Sequence, residues 1–295
     1  MRIAVLGAGS MGHGIAQVSA MAGHEVVLRD IEPDRVEAGI EGIRENLQGG
    51  VDRGKVSEDT MADTLGRIES ETDLESAVHD ADLVIEAVPE DIDLKKQVFS
   101  DVEDATATGT IIASNTSSLS VTEIGSALDQ PEYAVGLHFF NPPHLMDLVE
   151  IVIAEQTSEQ TEKAAIDYVQ SLEKEDVVVR DTAGFASSRL GVVTGLEAIR
   201  MVEEGVANPA DIDEAMRIGY GYPMGPLELT DLVGLDVRLH IAEYLRSELG
   251  ERFRPPQTLR RKVRAGNLGK KTGEGFYVWE DGDRVGMSGD WSNDT

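Results

Sequence analysis

Two residues twelve positions apart carry the first chemical signal in this chain. His138 opens the run His138-Phe139-Phe140-Asn141-Pro142-Pro143, and Glu150 lies inside the apolar segment 148–154. A carboxylate in a stretch that reads as a buried strand is costly unless something pairs with it, and the histidine is the obvious partner. A histidine oriented and charge-stabilised by a glutamate is a general acid–base device that works near neutral pH. The plainer reading of the same two residues is a structural ion pair. The other five histidines have no comparable context, although His13 falls inside a glycine-rich turn.

That turn is the second signal. Gly7-Ala8-Gly9-Ser10-Met11-Gly12 is a G-x-G-x-x-G placed between an apolar strand and a helical run. The first glycine permits a tight turn, the second lets backbone approach a pyrophosphate, and the third allows close helix–strand packing. The helix N-terminus adds positive potential. Asp30 ends the next strand, where an acid binds the adenosine ribose hydroxyls. The six loop residues and Asp30 together predict a dinucleotide site. A carboxylate there favours NAD over NADP, while the neighbouring Arg29 leaves NADP open.

These groups need a scaffold, and the periodicity supplies one. Residues 1–6 read as a strand, 11–22 as a helix and 25–28 as a second strand, which makes a βαβ unit. Val36, Ile40, Ile43 and Leu47 recur at helical spacing, and Met61, Leu65 and Ile68 follow after Gly49-Gly50. The pair predicts a helical hairpin inserted before the sheet resumes. Further strands are expected at 83–88, 110–114, 134–138, 148–154 and 176–179, with a helix over 159–172. From Phe185 onward the pattern is helical. The fold class is therefore α/β: a Rossmann-type doubly wound domain over 1–182 with an inserted helical hairpin, then a smaller all-helical domain over 183–295.

Composition bounds the rest. The 295 residues include no cysteine, which excludes disulfides, thiolate nucleophiles and Cys-ligated zinc, and no metal site is expected. The formal charge is −29, from 55 acidic against 26 basic residues, so nucleic acid and anionic membrane are disfavoured partners. A disordered acidic chain conflicts with the 41% hydrophobic content and clear periodicity. Carboxylates that dress a folded surface for concentrated salt fit better, and only 8 of the 26 basic residues are Lys. No stretch approaches the roughly 18 apolar residues of a membrane span. The first residues lack the basic and long apolar regions of a signal peptide. A cytoplasmic location is the expectation.

Several motifs together resemble one family. GAGSMGHGIA, SNTSSLSVTEI, HFFNPP, GYPMGPLELTDLVGLD and GKKTGEGFY occur in order and span nearly the whole chain. They resemble the 3-hydroxyacyl-CoA dehydrogenases, a group that includes 3-hydroxybutyryl-CoA dehydrogenases of fatty acid metabolism and β-oxidation. The resemblance implies NAD-dependent, reversible oxidation of (S)-3-hydroxyacyl-CoA to 3-oxoacyl-CoA, with His138 as base or acid and Glu150 assisting it. It implies that Ser117 touches substrate and cofactor, and that Asn141 lies near the nicotinamide. Glu90, Lys95 and Lys271 match cofactor contacts. Asn46 and Arg53, on the hairpin, match residues that contact CoA, where family members often carry lysines near the phosphates. Ser188 stands where the family commonly has a substrate-holding Asn. A homodimer through the helical domain is also implied. Two alternatives stay open: a related dehydrogenase of a small free hydroxy acid or sugar acid, and a binding protein that keeps the fold without turnover.

Overall fold

The computed structural model describes residues 1–289 and divides the chain into two compact units, Met1–Thr182 and Ala183–Thr295. The first begins with β1 (Arg2–Leu6), α1 (Ser10–Met21), β2 (Glu25–Arg29), α2 (Pro33–Asp52), α3 (Glu58–Gly66) and β3 (Ile68–Glu71). It continues with α4 (Leu74–Val78), β4 (Leu83–Glu86), α5 (Ile92–Ala105), β5 (Ile111–Ser114) and α6 (Val121–Gly125). β6 (Ala134–Phe139), β7 (Leu148–Ile153), α7 (Glu159–Ser171) and β8 (Glu175–Arg180) complete it.

The eight strands form one sheet in the order β3-β2-β1-β4-β5-β6-β7-β8. β1 to β6 pair in parallel, β7 runs antiparallel to β6, and β8 is parallel to β7. Strand alternation sends successive side chains to opposite faces. Ile3 and Val5 pack with Ile15 and Ala16 of α1 and Tyr168 of α7. Ala4 and Leu6 pack with Val78 of α4 and Phe99 and Val102 of α5. Fully burying each large aliphatic or aromatic side chain contributes about 1.5–3 kcal/mol, which is why the central strands read as continuous apolar runs. Sheet growth reverses between β1 and β4, and the crevice at such a switch point, at the carboxyl ends of the strands, is where doubly wound folds take ligands.

The expected hairpin forms as α2 and α3, but Ile68, expected as its last apolar position, instead starts the edge strand β3. The second unit carries α8 (Ser187–Glu203), α9 (Pro209–Tyr220), α10 (Pro226–Val233), α11 (Leu235–Leu249) and α12 (Gln257–Ala265). To the expected helices it adds an antiparallel pair, β9 (Tyr277–Glu280) and β10 (Asp283–Met287). Two buried aspartates fasten β9 to the helices. Asp231 accepts from the backbone N–H groups of Phe276 and Tyr277 and from Trp279 Nε1, and Asp213 accepts from Tyr277 Oη and the N–H groups of Leu227 and Glu228. Burial raises both carboxyls above their ordinary range, against the pull of those donors.

Candidate functional site

His138 and Glu150 are direct partners in the β6–β7 ladder. Side chains of opposed residues in an antiparallel pair share a face, so the register alone brings imidazole and carboxylate together. His138 Nδ1 lies 2.8 Å from Glu150 Oε2, with the two residues 7% and 1% exposed. At that burial the contact is strong and specific, unlike a surface ion pair. Phe140 stacks at a tilt on the imidazole, ring centroids 4.6 Å apart. With Nδ1 given to the carboxylate, Nε2 is the nitrogen positioned to exchange a proton.

Ser117 belongs to a second network, at the carboxyl ends of β4 and β5. Glu90 Oε1 accepts from Thr116 Oγ1 (2.7 Å), Ser117 N (3.0 Å) and Ser117 Oγ (3.3 Å). Lys95 Nζ lies 3.3 Å from Glu90 Oε2, 2.7 Å from Glu86 Oε1 and 3.3 Å from Val88 O. Lys95, expected as a cofactor contact, thus directs its ammonium at Glu86 and Glu90. Glu86 also accepts from Ser114 Oγ at 2.6 Å and from Val88 N at 2.8 Å. Glu86 and Asn115 are absent from the residues singled out in the sequence. Glu86 carried a readable signal, a carboxylate in an apolar strand. Asn115 lies within the SNTSS motif, but nothing local names its partner: its Oδ1 accepts from Phe139 N at 2.9 Å, tying the loop of Ser117 to the residue after His138. Asn141 is exposed, three residues beyond His138.

The glycine loop fits a dinucleotide. Gly7 has φ +102°, and a Cβ there would lie 2.6 Å from Ala87 O. A Cβ on Gly12 would meet Gly7 O at 1.6 Å, so α1 can approach β1 only with glycine at that position. Gly9, by contrast, would place its Cβ in open space, a cradle beside the helix N-terminus where a pyrophosphate can approach backbone. Ala8, Ser10 and Met11 complete the loop and the first turn of α1. Asp30 Oδ2 accepts from Ala8 N at 2.9 Å and its Oδ1 from Ile31 N at 2.8 Å, which holds the carboxylate at the loop. Arg29 Nε donates to Thr72 O, so its guanidinium is anchored to the segment after β3.

Asn46 and Arg53, both of the hairpin, take no part in these networks. On α2, Asn46 Nδ2 donates to Gln17 Oε1 of α1 at 3.1 Å, and Arg53 caps the helix. In the second unit, Ser188 lies in the first turn of α8, just after Phe185, whose φ of 48° is a conformation bulky residues seldom adopt. Lys271 Nζ pairs with Asp236 at 2.6 Å.

Comparison with known proteins gives a consistent result over nearly the whole chain. The family model described as 3-hydroxyacyl-CoA dehydrogenase, NAD binding domain, matches residues 2–182, and that for the 3-hydroxyacyl-CoA dehydrogenase C-terminal domain matches 184–279. A probable 3-hydroxybutyryl-CoA dehydrogenase of Bacillus subtilis is 43% identical over 281 residues, 95% of this chain and 98% of that protein. Among solved structures, (S)-3-hydroxybutyryl-CoA dehydrogenase PaaH1 from Ralstonia eutropha superposes with TM-score 0.91 at 37% identity, covering 95% of this chain and 99% of that one. FadB2 of M. tuberculosis gives TM-score 0.92 at 41% identity, with the same coverage.

Proposed function

The chain belongs to the 3-hydroxyacyl-CoA dehydrogenase family, and from that premise we propose that His138 and Glu150 perform the proton transfer of an NAD-dependent, reversible oxidation of (S)-3-hydroxyacyl-CoA to 3-oxoacyl-CoA. The observation that carries the reading is the buried 2.8 Å contact between the two side chains. NAD, when bound, supplies the hydride acceptor, and the glycine loop with Asp30 holds it. His138 takes the proton of the 3-hydroxyl in the oxidative direction and returns it to the 3-keto oxygen in the reductive one. Glu150 fixes the ring tautomer through Nδ1 and balances the charge the ring gains. Ser117 and Asn141 hydrogen-bond the reacting oxygen without competing for its proton. Glu90, braced by Lys95, orients Ser117. Ser188, Asn46 and Arg53 contact the acyl-CoA, and Lys271 contacts the cofactor.

The decisive assay follows NADH oxidation with acetoacetyl-CoA in low and high salt. Wild type is expected to be active, and His138→Ala to lose about 10²- to 10⁴-fold in kcat. Inactivity of wild type at every salt concentration overturns the substrate assignment, and full activity of His138→Ala overturns the mechanism. A cytoplasmic protein adapted to high salt is the accompanying proposal, supported by the net charge of −29. Among the described residues no helix is long and apolar enough to cross a membrane. A homodimer formed by the helical unit is supported by the exposed apolar side chains Leu190, Ile218, Tyr220 and Leu232. Light scattering at assay salt tests it, with a monomer as the contrary result.

A further inference from the structure

One cation of the helical unit is buried without a counter-charge. Arg238, near the start of α11, is 5% exposed, and its Nε is buried with no hydrogen-bond partner among the described residues. The acids close to it in sequence or on the adjoining helix are engaged elsewhere. Asp231 takes its donors from β9, Asp236 pairs with Lys271, and Glu197 of α8 pairs with Arg200. Burial lowers the Arg238 pKa to about 10 with no acid opposing the shift, and the group is still a cation at neutral pH. Buried charges are paired as a rule, so an unpaired one marks a place that a bound group completes. The adjoining helix makes room for this guanidinium. Ser188, Gly191 and Gly195 follow at steps of three and four residues and share one face of α8. A Cβ on Gly195 would lie 3.7 Å from Arg238 Cζ and Nε, and one on Gly191 would lie 3.9 Å from Nη1. The guanidinium therefore lies along the helix, with Nη1 at the end nearer Ser188. Gly195 is buried whereas Gly191 and Ser188 are half-buried, so the fork emerges toward the more open end of that face.

We infer that Arg238 and Ser188 form a receptor for a carboxylate at the far end of the acyl chain, so that the favoured substrates are 3-hydroxyacyl-CoA thioesters of dicarboxylic acids. This rests on the acyl-CoA reading above and extends it. Ser188 precedes Gly191 by three residues, less than one helical turn of about 5.4 Å, so an acyl chain held at Ser188 ends within reach of the fork. A guanidinium offers a carboxylate two parallel N–H donors, and the Ser188 hydroxyl adds a third. A methyl-ended chain leaves the buried cation unpaired, whereas a carboxylate completes it. Discrimination therefore arises from attraction of one chain and rejection of the other.

The test uses 3-hydroxyacyl-CoA esters of increasing length, each made in two forms, one ending in a carboxylate and one in a methyl group. The shortest pair is 3-hydroxyglutaryl-CoA and 3-hydroxypentanoyl-CoA. NAD reduction by the full-length protein is followed at assay salt. At the best length wild type is expected to favour the carboxylate form by at least about tenfold in kcat/KM, chiefly through KM. Arg238→Met is expected to bring that ratio to one or below. Arg238→Lys, which keeps the charge and loses the fork, is expected to fall between. Because methionine removes an unpaired charge, the Tm of Arg238→Met is expected to hold or rise. A wild-type ratio within about twofold of one at every length overturns the receptor and leaves the acyl-CoA reading standing. A ratio unchanged in Arg238→Met does the same, and a lowered Tm beside it makes Arg238 a structural residue. Wild type inactive on every ester overturns the acyl-CoA reading and the receptor with it. If Arg238→Met is unfolded by circular dichroism, Arg238→Lys and Ser188→Ala are measured in its place, and an unchanged ratio in both overturns the receptor.

Discussion

Lys95 and Glu86 form an ion pair at 2.7 Å with side chains 1% and 0% exposed, and the same ammonium reaches the part-exposed Glu90. One buried cation therefore links the end of β4 to the loop that presents Ser117. Lys95→Met leaves Glu86 charged and buried with only the Ser114 hydroxyl and Val88 N–H as donors. The expected cost is about 3–5 kcal/mol of stability, read from denaturant unfolding. A loss below about 1 kcal/mol would show that the pair is dispensable. The folded fraction of this variant is also expected to show a raised KM for NADH, since Glu90 loses its brace.

Glu150→Gln keeps an oxygen that can accept from His138 Nδ1 but removes the charge. We expect kcat to drop about 10²- to 10³-fold while the KM values stay within a few-fold, measured by steady-state NADH oxidation. A kcat within threefold of wild type would reduce Glu150 to a packing residue.

Burial holds the pKa of His13 below its ordinary 6.5, and burial followed by the nearby His13, Lys174 and Arg53 does the same for His144. Just below pH 6.5 the unfolded chain therefore binds more protons at these positions than the folded one. Their contribution to stability is complete above that pH and is lost as the pH falls through the gap between unfolded and folded values. Replacing both with Gln is expected to flatten the decline in Tm between roughly pH 6.5 and 5. Parallel Tm curves for wild type and variant would refute the linkage.

Asp231→Ala strands three donors at once, Phe276 N, Tyr277 N and Trp279 Nε1. Each buried unsatisfied group costs about 1–3 kcal/mol, so a loss of at least about 3 kcal/mol is expected. A red shift in tryptophan emission should accompany it as β9 loosens. Unchanged emission with unchanged Tm would mean the carboxylate does not fasten the strand.

The βαβ start of the fold and its glycine loop were legible because glycine spacing and strand alternation are local signals. The His138–Glu150 pair was legible because a charge in an apolar strand demands a partner, and His138 ends a strand where His144 does not. β3 was not: Ile68-Glu69-Ser70-Glu71 has one apolar residue, and it is a strand only because β2 offers it a parallel backbone edge. The β9–β10 pair was hidden for a related reason, since buried Asp231, far away in sequence, supplies the hydrogen bonds that anchor it. Glu86 follows the logic that marks Glu150, but its partner Lys95 sits on a helix whose outward appearance is polar.

The antiparallel ladder that aligns His138 with Glu150 is built from Gly136, Leu137 and Phe139 against Val149, Ile151 and Val152, all buried. A slip of one position would throw Glu150 to the opposite face, so the proton-transfer pair is as robust as the sheet itself. Residues 140–147, which join the two strands and carry Asn141 and His144, are under no such constraint. The inheritance of this enzyme is thereby split in two. Mutation can rewrite the connecting loop outside Asn141, and with it the molecules admitted, while the proton-transfer pair passes unaltered from ancestor to descendant.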